Sequence, residues 1–279
     1  MITTEIITIF QDFLNDFLLQ IVNSSINNIG LKSSAHLGVQ TIIHVLEYSL
    51  YHTKSLEKSY FYIKRNKLPY VIGKIASSND NFIKSKKSKM LTNNFSQDLS
   101  HLLRYRSHAI LISYKTLNTD NPRLNCRLNS LEQYSPARVI LDKNLDLKKN
   151  SFVIKTAKKT PTYIFYNKNN LKKIKYLKRY GAKLIFLKLK NNNFKTIDIL
   201  KKLYNENLFY LLIEGGLNLT QDFLNNNVFN EFFHFKSSKI LKKNGIIKLS
   251  NFDKKIKNKF KNFEEVKTYT GDDKVIRYY

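Results

Sequence analysis

Tryptophan is absent from this chain and cysteine occurs once, as Cys126. A lone cysteine can form neither an internal disulfide nor a cysteine-rich zinc site, so a reducing, cytoplasmic setting is expected. No apolar run approaches the ~20 residues that a membrane-spanning helix needs. A secretory leader is not expected either, because Glu5, Asp12 and Asp16 interrupt the apolar residues at the start and no basic segment precedes them. Acidic residues are few, 21 against 48 lysines and arginines, which leaves a formal charge of +27. Glycine and proline are scarce, while Lys, Asn, Ile, Tyr and Phe abound, the bias an AT-rich coding sequence produces.

What is present is enough for a folded protein. Its 42% hydrophobic content excludes wholesale disorder, and 279 residues can bury one large core with room for an appendage. The positive charge admits two readings. Clustered cations would bind nucleic acid by releasing counterions from phosphates. Here the lysines are spread as pairs over nearly every polar stretch, so the charge reads as composition, and nucleic acid is not the expected partner.

Residues 1–66 read as a small helical appendage of unassigned role. Phe10, Phe13, Leu14, Phe17, Leu18 and Ile21 recur at helical spacing, and Ser34 can cap a second helix carrying Leu37, Val39, Ile42, Ile43, Leu46 and Leu50. A third helical stretch falls around Ser55–Lys64. His36, His44 and His52, with Glu47, suggest a metal site only superficially. A step of eight residues advances a helix about 80° beyond two turns, so the imidazoles spiral apart, and no metal is expected.

From Pro69 onward the pattern alternates. Strands are expected at Tyr70–Ala76, His108–Ser113, Arg138–Leu141, Thr162–Tyr166, Lys183–Leu187 and Phe209–Ile213. Helices are expected around Phe95–Arg106, Leu171–Tyr180, Ile197–Tyr204 and Leu219–Leu224, with a β-rich final fifty residues. Lys242–Asn244 and Lys254–Lys261 read as basic loops. Such alternation implies an α/β fold with a largely parallel sheet, here spanning residues 67–279.

In such sheets ligands bind beyond the carboxyl ends of the strands. Glu214-Gly215-Gly216 stands there, after Tyr210–Ile213. Its glycines permit positive φ and close backbone approach, and the following helix offers free N–H groups for a phosphate. No G-x-G-x-x-G fingerprint is present. The stretch Thr116–Arg127 reads as a polar loop after an apolar strand, with Asp120-Asn121-Pro122 as a turn that the Asp120 side chain closes. Arg104 and Arg127 flank it, and two guanidiniums near one crevice can clamp a phosphate. Lys74–Asp80 ends the first strand with small and polar residues, leaving room for a flat ring. His101 is expected inside a helix and partly buried, and His108 in a structural role.

These motifs, in order, resemble the reductase domain of the bacterial bifunctional riboflavin-biosynthesis deaminase–reductase. The matching segments are Pro69–Asp80, Leu91-Thr92, Leu103-Arg104, His108–Leu111, Thr116–Arg127, Pro136–Asp142 and Leu212–Gly216, over residues 68 to about 245. The resemblance implies a dihydrofolate-reductase-like fold, a mixed, mostly parallel sheet flanked by helices. It also implies NADPH-dependent reduction of the ribosyl group of 5-amino-6-(5-phosphoribosylamino)uracil, in a homodimer. Carried over position by position, Ala76, Met90, Thr116, Asp120 and the run Gly216, Leu217, Asn218, Leu219, Thr220, Gln221 and Asp222 would hold NADPH. Ser88, Arg104, Leu124, Arg127 and Glu214 would hold the phosphoribosyl-pyrimidine substrate. Asp120, as proton source, and Glu214 are the catalytic candidates.

The sequence also departs from the family pattern. Met90 stands where Trp is common, Asn81 replaces a Gly, Asn121 replaces an Asp, and Asn230-Glu231 replaces an Asp-Glu pair. The zinc deaminase motifs His-x-Glu and Pro-Cys-x-x-Cys are missing before Cys126. Deaminase activity is therefore not expected, and the helical segment is a candidate docking point for a separate deaminase. Two rivals remain: a reductase of a related pterin or pyrimidine, and a degenerate scaffold that binds nucleic acid or assembles with other proteins.

Overall fold

The computed structural model describes residues 57–88, 90–250, 252–266 and 270–279. The helices expected before residue 51, with His36, His44, Glu47 and His52, lie outside the described residues; residues 57–66 are helical. The chain divides into two compact units, Met1–Arg65 and Asn66–Tyr279.

The second unit is built on one nine-stranded sheet. Its strands are β1 (Tyr70–Ser77), β2 (Ala109–Ser113), β3 (Ala137–Leu141), β4 (Thr162–Tyr166), β5 (Lys183–Phe186), β8 (Tyr210–Ile213), β9 (Glu231–Lys236), β10 (Phe263–Glu265) and β11 (Lys274–Tyr278). The spatial order is β10-β11-β9-β1-β8-β2-β3-β4-β5. Every pairing from β9 through β5 is parallel, while β11 joins β9, and β10 joins β11, antiparallel. The two-residue strands β6 (Leu189–Lys190) and β7 (Asn193–Phe194) form a separate hairpin. This is the largely parallel sheet that the alternating pattern implied, mixed at one edge as the resemblance implied.

The interior strands are largely apolar because helices cover both faces, with Arg138 of β3 the charged exception. Strand alternation sorts their side chains into two layers. Ile110, Ile112, Ile140, Ile164 and Leu212 fill one cluster, and Ala109, Leu111, Val139, Phe165, Leu211 and Ile213 fill the other. Helix α1 (Asn94–Tyr105) packs Leu99 and Leu103 on the first layer; its start is capped by the Asn93 side chain, which accepts from Ser96 N at 3.0 Å. The second layer carries α5 (Thr196–Asn205), through Ile199, Leu200 and Leu203, and α6 (Leu217–Asn225), through Phe223. A short α3 (Phe152–Lys155) and α4 (Leu171–Arg179) pack on the first layer through Val153, Ile154 and Leu177.

Two expectations fail. The stretch after β2 is not loop from Thr116: α2 spans Tyr114–Asp120, with the Ser113 hydroxyl accepting from Thr116 N and Asn121 ending it in the left-handed region at φ 41°. Asn121, being one of the few residues that tolerates this region, stops the helix, and the side chain of Asp120 closes no turn. Lys254–Lys261 is not loop either. It falls largely in α7 (Phe252–Lys259), whose Phe252 and Ile256, followed by Phe260, form a third cluster with Phe232 and Tyr278. Their four-residue spacing is the helical signal that the lysines between them obscured.

Candidate active site

Strand register places the first two residues of the site. Gly73 pairs with Ile213 across β1 and β8, so Lys74 stands level with Glu214. Alternation turns both toward the first core layer, since Ile72 and Leu212, two residues earlier on each strand, belong there. Helix α1 crosses that layer and delivers His101 and Arg104 from its last two turns.

Arg104 and Glu214 then form a two-pronged pair: Nε donates to Oε1 at 2.9 Å and Nη2 to Oε2 at 2.7 Å. The remaining guanidinium nitrogen, Nη1, donates to the Asn125 carbonyl at 3.2 Å and lies 3.4 Å from His101 Nδ1. Burial alone would raise the Glu214 carboxyl, but the Arg104 and Lys74 charges override it and hold the group at about 2. Burial lowers Lys74, with the attraction of Glu214 opposing and Arg104 reinforcing the fall; its ammonium lies 4.9 Å from the Phe235 ring centroid. Burial and the charges of Arg104 and Arg127 push His101 down to about 4, so its imidazole is neutral at pH 7. Arg127, which donates to Asn125 Oδ1 at 3.3 Å, also feels both Arg104 and Glu214. One carboxylate is thus set among three cationic side chains, and the cluster favours an added anion.

Leu124 contributes through its backbone. Its side chain is buried in the core and its φ is +57°, a conformation that costs a leucine about 1–2 kcal/mol. The adjacent Asn125 consequently presents its carbonyl to Arg104 and its side chain to Arg127.

The neighbouring helix end is open. Gly216 is the N-cap of α6 and no side chain caps it. A Cβ on Gly216 would meet nothing nearer than Thr116 Oγ1, at 3.7 Å, so Thr116 and this helix end face the same space. Gly215 differs, because a Cβ there would lie 2.5 Å from Leu219 Cδ2 and 2.9 Å from its Cβ. Neither glycine has positive φ. The expectation that they serve a left-handed turn is corrected: Gly215 serves close packing and Gly216 leaves room.

Other expected residues lie elsewhere or are engaged. Asp120 is half-exposed and paired with Lys84 at 3.1 Å, a surface contact between α2 and the loop after β1. Ser88 and Met90 sit on that loop and bond one another, Ser88 Oγ donating to Met90 O at 2.8 Å, and among the described residues no hydrogen bond joins them to the Arg104 cluster. Ala76 follows Lys74 on the same face, packed against the core. Along α6, Asn218 is exposed, Gln221 is half-buried, and the Leu217 side chain packs on the third cluster. Thr220 is buried, its hydroxyl without a protein partner. Asp222 accepts from Thr196 Oγ1 at 3.3 Å, more than a turn beyond the helix start. The structure therefore gathers Arg104, Arg127, Glu214, Thr116 and Gly216 and leaves Asp120, Ser88, Met90 and Asp222 outside.

Lys74, His101 and Asn125 belong to the cluster and were not candidates. Lys74 had a signal, a lysine on the core-facing row between Ile72 and Ala76. Asn125 had none.

Residues 69–275 match the family of the RibD C-terminal domain. The chain belongs to that family. It is 27% identical over 252 residues to the riboflavin biosynthesis protein RibD of Aquifex aeolicus, covering 88% of this chain and 67% of that protein. RibD of Acinetobacter baumannii superposes with a TM-score of 0.63 at 18% identity, over 80% of this chain and 61% of that one. The deaminase/5-amino-6-(5-phosphoribosylamino)uracil reductase of Thermotoga maritima superposes at 0.61 with 23% identity, over 86% and 66%. Across the curated RibD proteins it matches, the chain spans between 50% and 67% of their length. The family match begins at residue 69, one residue before β1.

Membership gives meaning to Asn81. Its φ of +65° lies in the left-handed region, where the glycine that the resemblance led one to expect would be unstrained. Asparagine is among the non-glycine residues that best tolerate it.

Proposed function

We propose that this chain performs the NADPH-dependent reduction of 5-amino-6-(5-phosphoribosylamino)uracil at its ribosyl group, in riboflavin biosynthesis. The observation that carries this reading is the doubled Arg104–Glu214 pair flanked by Lys74 and Arg127, at the carboxyl end of β8 and beside an uncapped helix start. Family membership and the reductase activity named for the Thermotoga protein point the same way.

The residues present fit a phosphorylated nicotinamide cofactor. The first-turn N–H groups of α6 have no side-chain cap, and the space over Gly216 is bounded by a hydroxyl, Thr116 Oγ1. Thr116, Gly216, Leu217 and Asn218 would hold it. When bound, it supplies the hydride that adds at the sugar C1′. Opening the sugar requires the C1′–O4′ bond to break, with a proton passing to O4′ and the nitrogen lone pair forming an iminium at C1′. Lys74 is better placed than Asp120 to supply that proton, because it stands level with Glu214 while Asp120 is paired with Lys84 at the surface. Glu214 stays ionised and fixes Arg104, while Arg127, bonded among the described residues to a neutral amide oxygen, is the guanidinium available to the substrate phosphate. The enzyme acts in the cytoplasm as a homodimer. Residues 1–66 dock a distinct deaminase.

Absorbance-monitored NADPH oxidation with the deaminated pyrimidine phosphate tests the assignment. Wild type turns over, and Arg127→Ala raises KM roughly tenfold or more. A dephosphorylated substrate abolishes the difference between the two proteins. Absence of wild-type turnover, or equal KM values with the phosphorylated substrate, would overturn it.

A further inference from the structure

A pocket lies at the end of the parallel sheet opposite Glu214. Lys155 and Lys158 come from α3 and the turn that leads into β4, and Tyr176, Arg179 and Tyr180 from the end of α4 before β5. They line an open hollow of about 430 Å³ at the amino ends of these strands, with Lys155, Lys158 and Arg179 exposed, whereas Glu214 follows the carboxyl end of β8. The pocket is separate from the candidate active site.

Its walls are held by backbone contact. Helix α4 ends at Gly181 with φ +92°, whose N–H donates to Lys178 O at 2.9 Å, while Ala182 N reaches Leu177 O at 3.1 Å. Gly181 rests against Lys158, since a Cβ on it would fall 3.1 Å from the Lys158 Cα and N. The rings of Tyr176 and Tyr180 stack at 4.7 Å and 27°, with the Lys149 ammonium 4.9 Å from the centroid of Tyr176. Among the described residues, no other ring or cation stacks on Tyr180. Three cations and no acid line the pocket.

A further charge lies behind it. Arg138 is buried, and it donates to Thr156 Oγ1 at 2.6 Å, to Thr160 O at 2.9 Å and to Thr162 Oγ1 at 2.8 and 3.1 Å. All of these acceptors are neutral, and Thr156 adjoins Lys155 of the lining. A buried guanidinium satisfied in hydrogen bonds but not in charge favours an anion nearby.

We propose that this pocket binds a nucleoside polyphosphate, its base stacked on Tyr180 and its phosphates held by Lys155, Lys158 and Arg179. The volume suits one small molecule. A single strand would need a groove following several nucleotides.

Calorimetric titration of the full-length protein with ATP, adenosine, tripolyphosphate and a single-stranded adenine oligonucleotide tests it, with saturating NADPH present to occupy the other nucleotide position. ATP is expected to bind at least tenfold more tightly than adenosine or tripolyphosphate, since stacking and charge each contribute about that factor. Tyr180→Ala and Lys158→Glu should each weaken ATP about tenfold, Tyr180→Phe should retain it, and Arg127→Ala should leave it unchanged. Thermal unfolding of each variant establishes that it is folded. Tripolyphosphate binding as tight as ATP would reduce the pocket to a basic surface. Affinity that grows with oligonucleotide length would assign it to nucleic acid, and either result overturns the proposal, as does ATP binding that Arg127→Ala abolishes.

Discussion

Arg104 spends both prongs of its guanidinium on Glu214, at 2.9 and 2.7 Å. On the proposed reading a substrate phosphate would meet Arg127 first, because Arg104 is committed to the carboxylate whereas Arg127 bonds the Asn125 amide oxygen.

That pair should govern acid stability. Glu214 is held at about 2 in the fold against an ordinary value of 4.5, so its contribution is fully present above pH 4.5 and is lost as pH falls toward 2. The loss amounts to about 3 kcal/mol. Glu214→Gln, which strands Arg104, should cost a similar ~3 kcal/mol at pH 7 and flatten the stability curve between pH 4.5 and 2. Urea unfolding at several pH values measures both. A mutant as stable as wild type at neutral pH would show that the pair contributes nothing net.

His101 should resist protonation. Its folded value near 4 against 6.5 means that the unfolded chain binds the proton first, so stability falls as pH drops from 6.5 to 4. Proton NMR of the His101 ring is expected to show a midpoint near 4, moving upward in Arg127→Ala as one repelling charge is removed. A midpoint near 6.5 in wild type would contradict the placement.

Gly215 and Gly216 should respond differently to alanine. Gly215→Ala forces its new methyl against Leu219 and is expected to cost about 1–3 kcal/mol, partly recovered in Gly215→Ala/Leu219→Ala. Gly216→Ala has room and should be near-neutral in stability, yet it should weaken NADPH binding by filling the space next to Thr116. Differential scanning calorimetry and NADPH titration separate the two effects; equal stability losses would refute the distinction.

Asn81 offers a backbone test. At φ +65°, Asn81→Gly should change stability by no more than about 1 kcal/mol, whereas Asn81→Ala should lose about 1–2 kcal/mol to left-handed strain. Denaturation midpoints decide it, and an alanine variant matching wild type would remove strain from the account.

Much of this was legible before any coordinates. Strands β1 to β5 and β8, with helices α1, α4 and α5, follow from period and punctuation, and Arg104, Thr116, Arg127 and Glu214 stood out by residue type and position. Helix α2 was hidden because its polar residues, Thr116, Asn118 and Asp120, looked like loop, although Ser113 was in place to cap it. Helix α7 was hidden by lysines between its three anchors.

The sequence by itself determined the alternating elements, the buried strands and the family motifs, because hydrophobic period and turn chemistry act over a few residues. Only the tertiary structure decided which charges meet. Register across β1 and β8 set Lys74 beside Glu214, and the crossing of α1 handed Arg104 to that carboxylate, while Asp120 went to Lys84 at the surface. Electrostatic partners are chosen by distance in space, and parallel pairing joins residues more than a hundred positions apart.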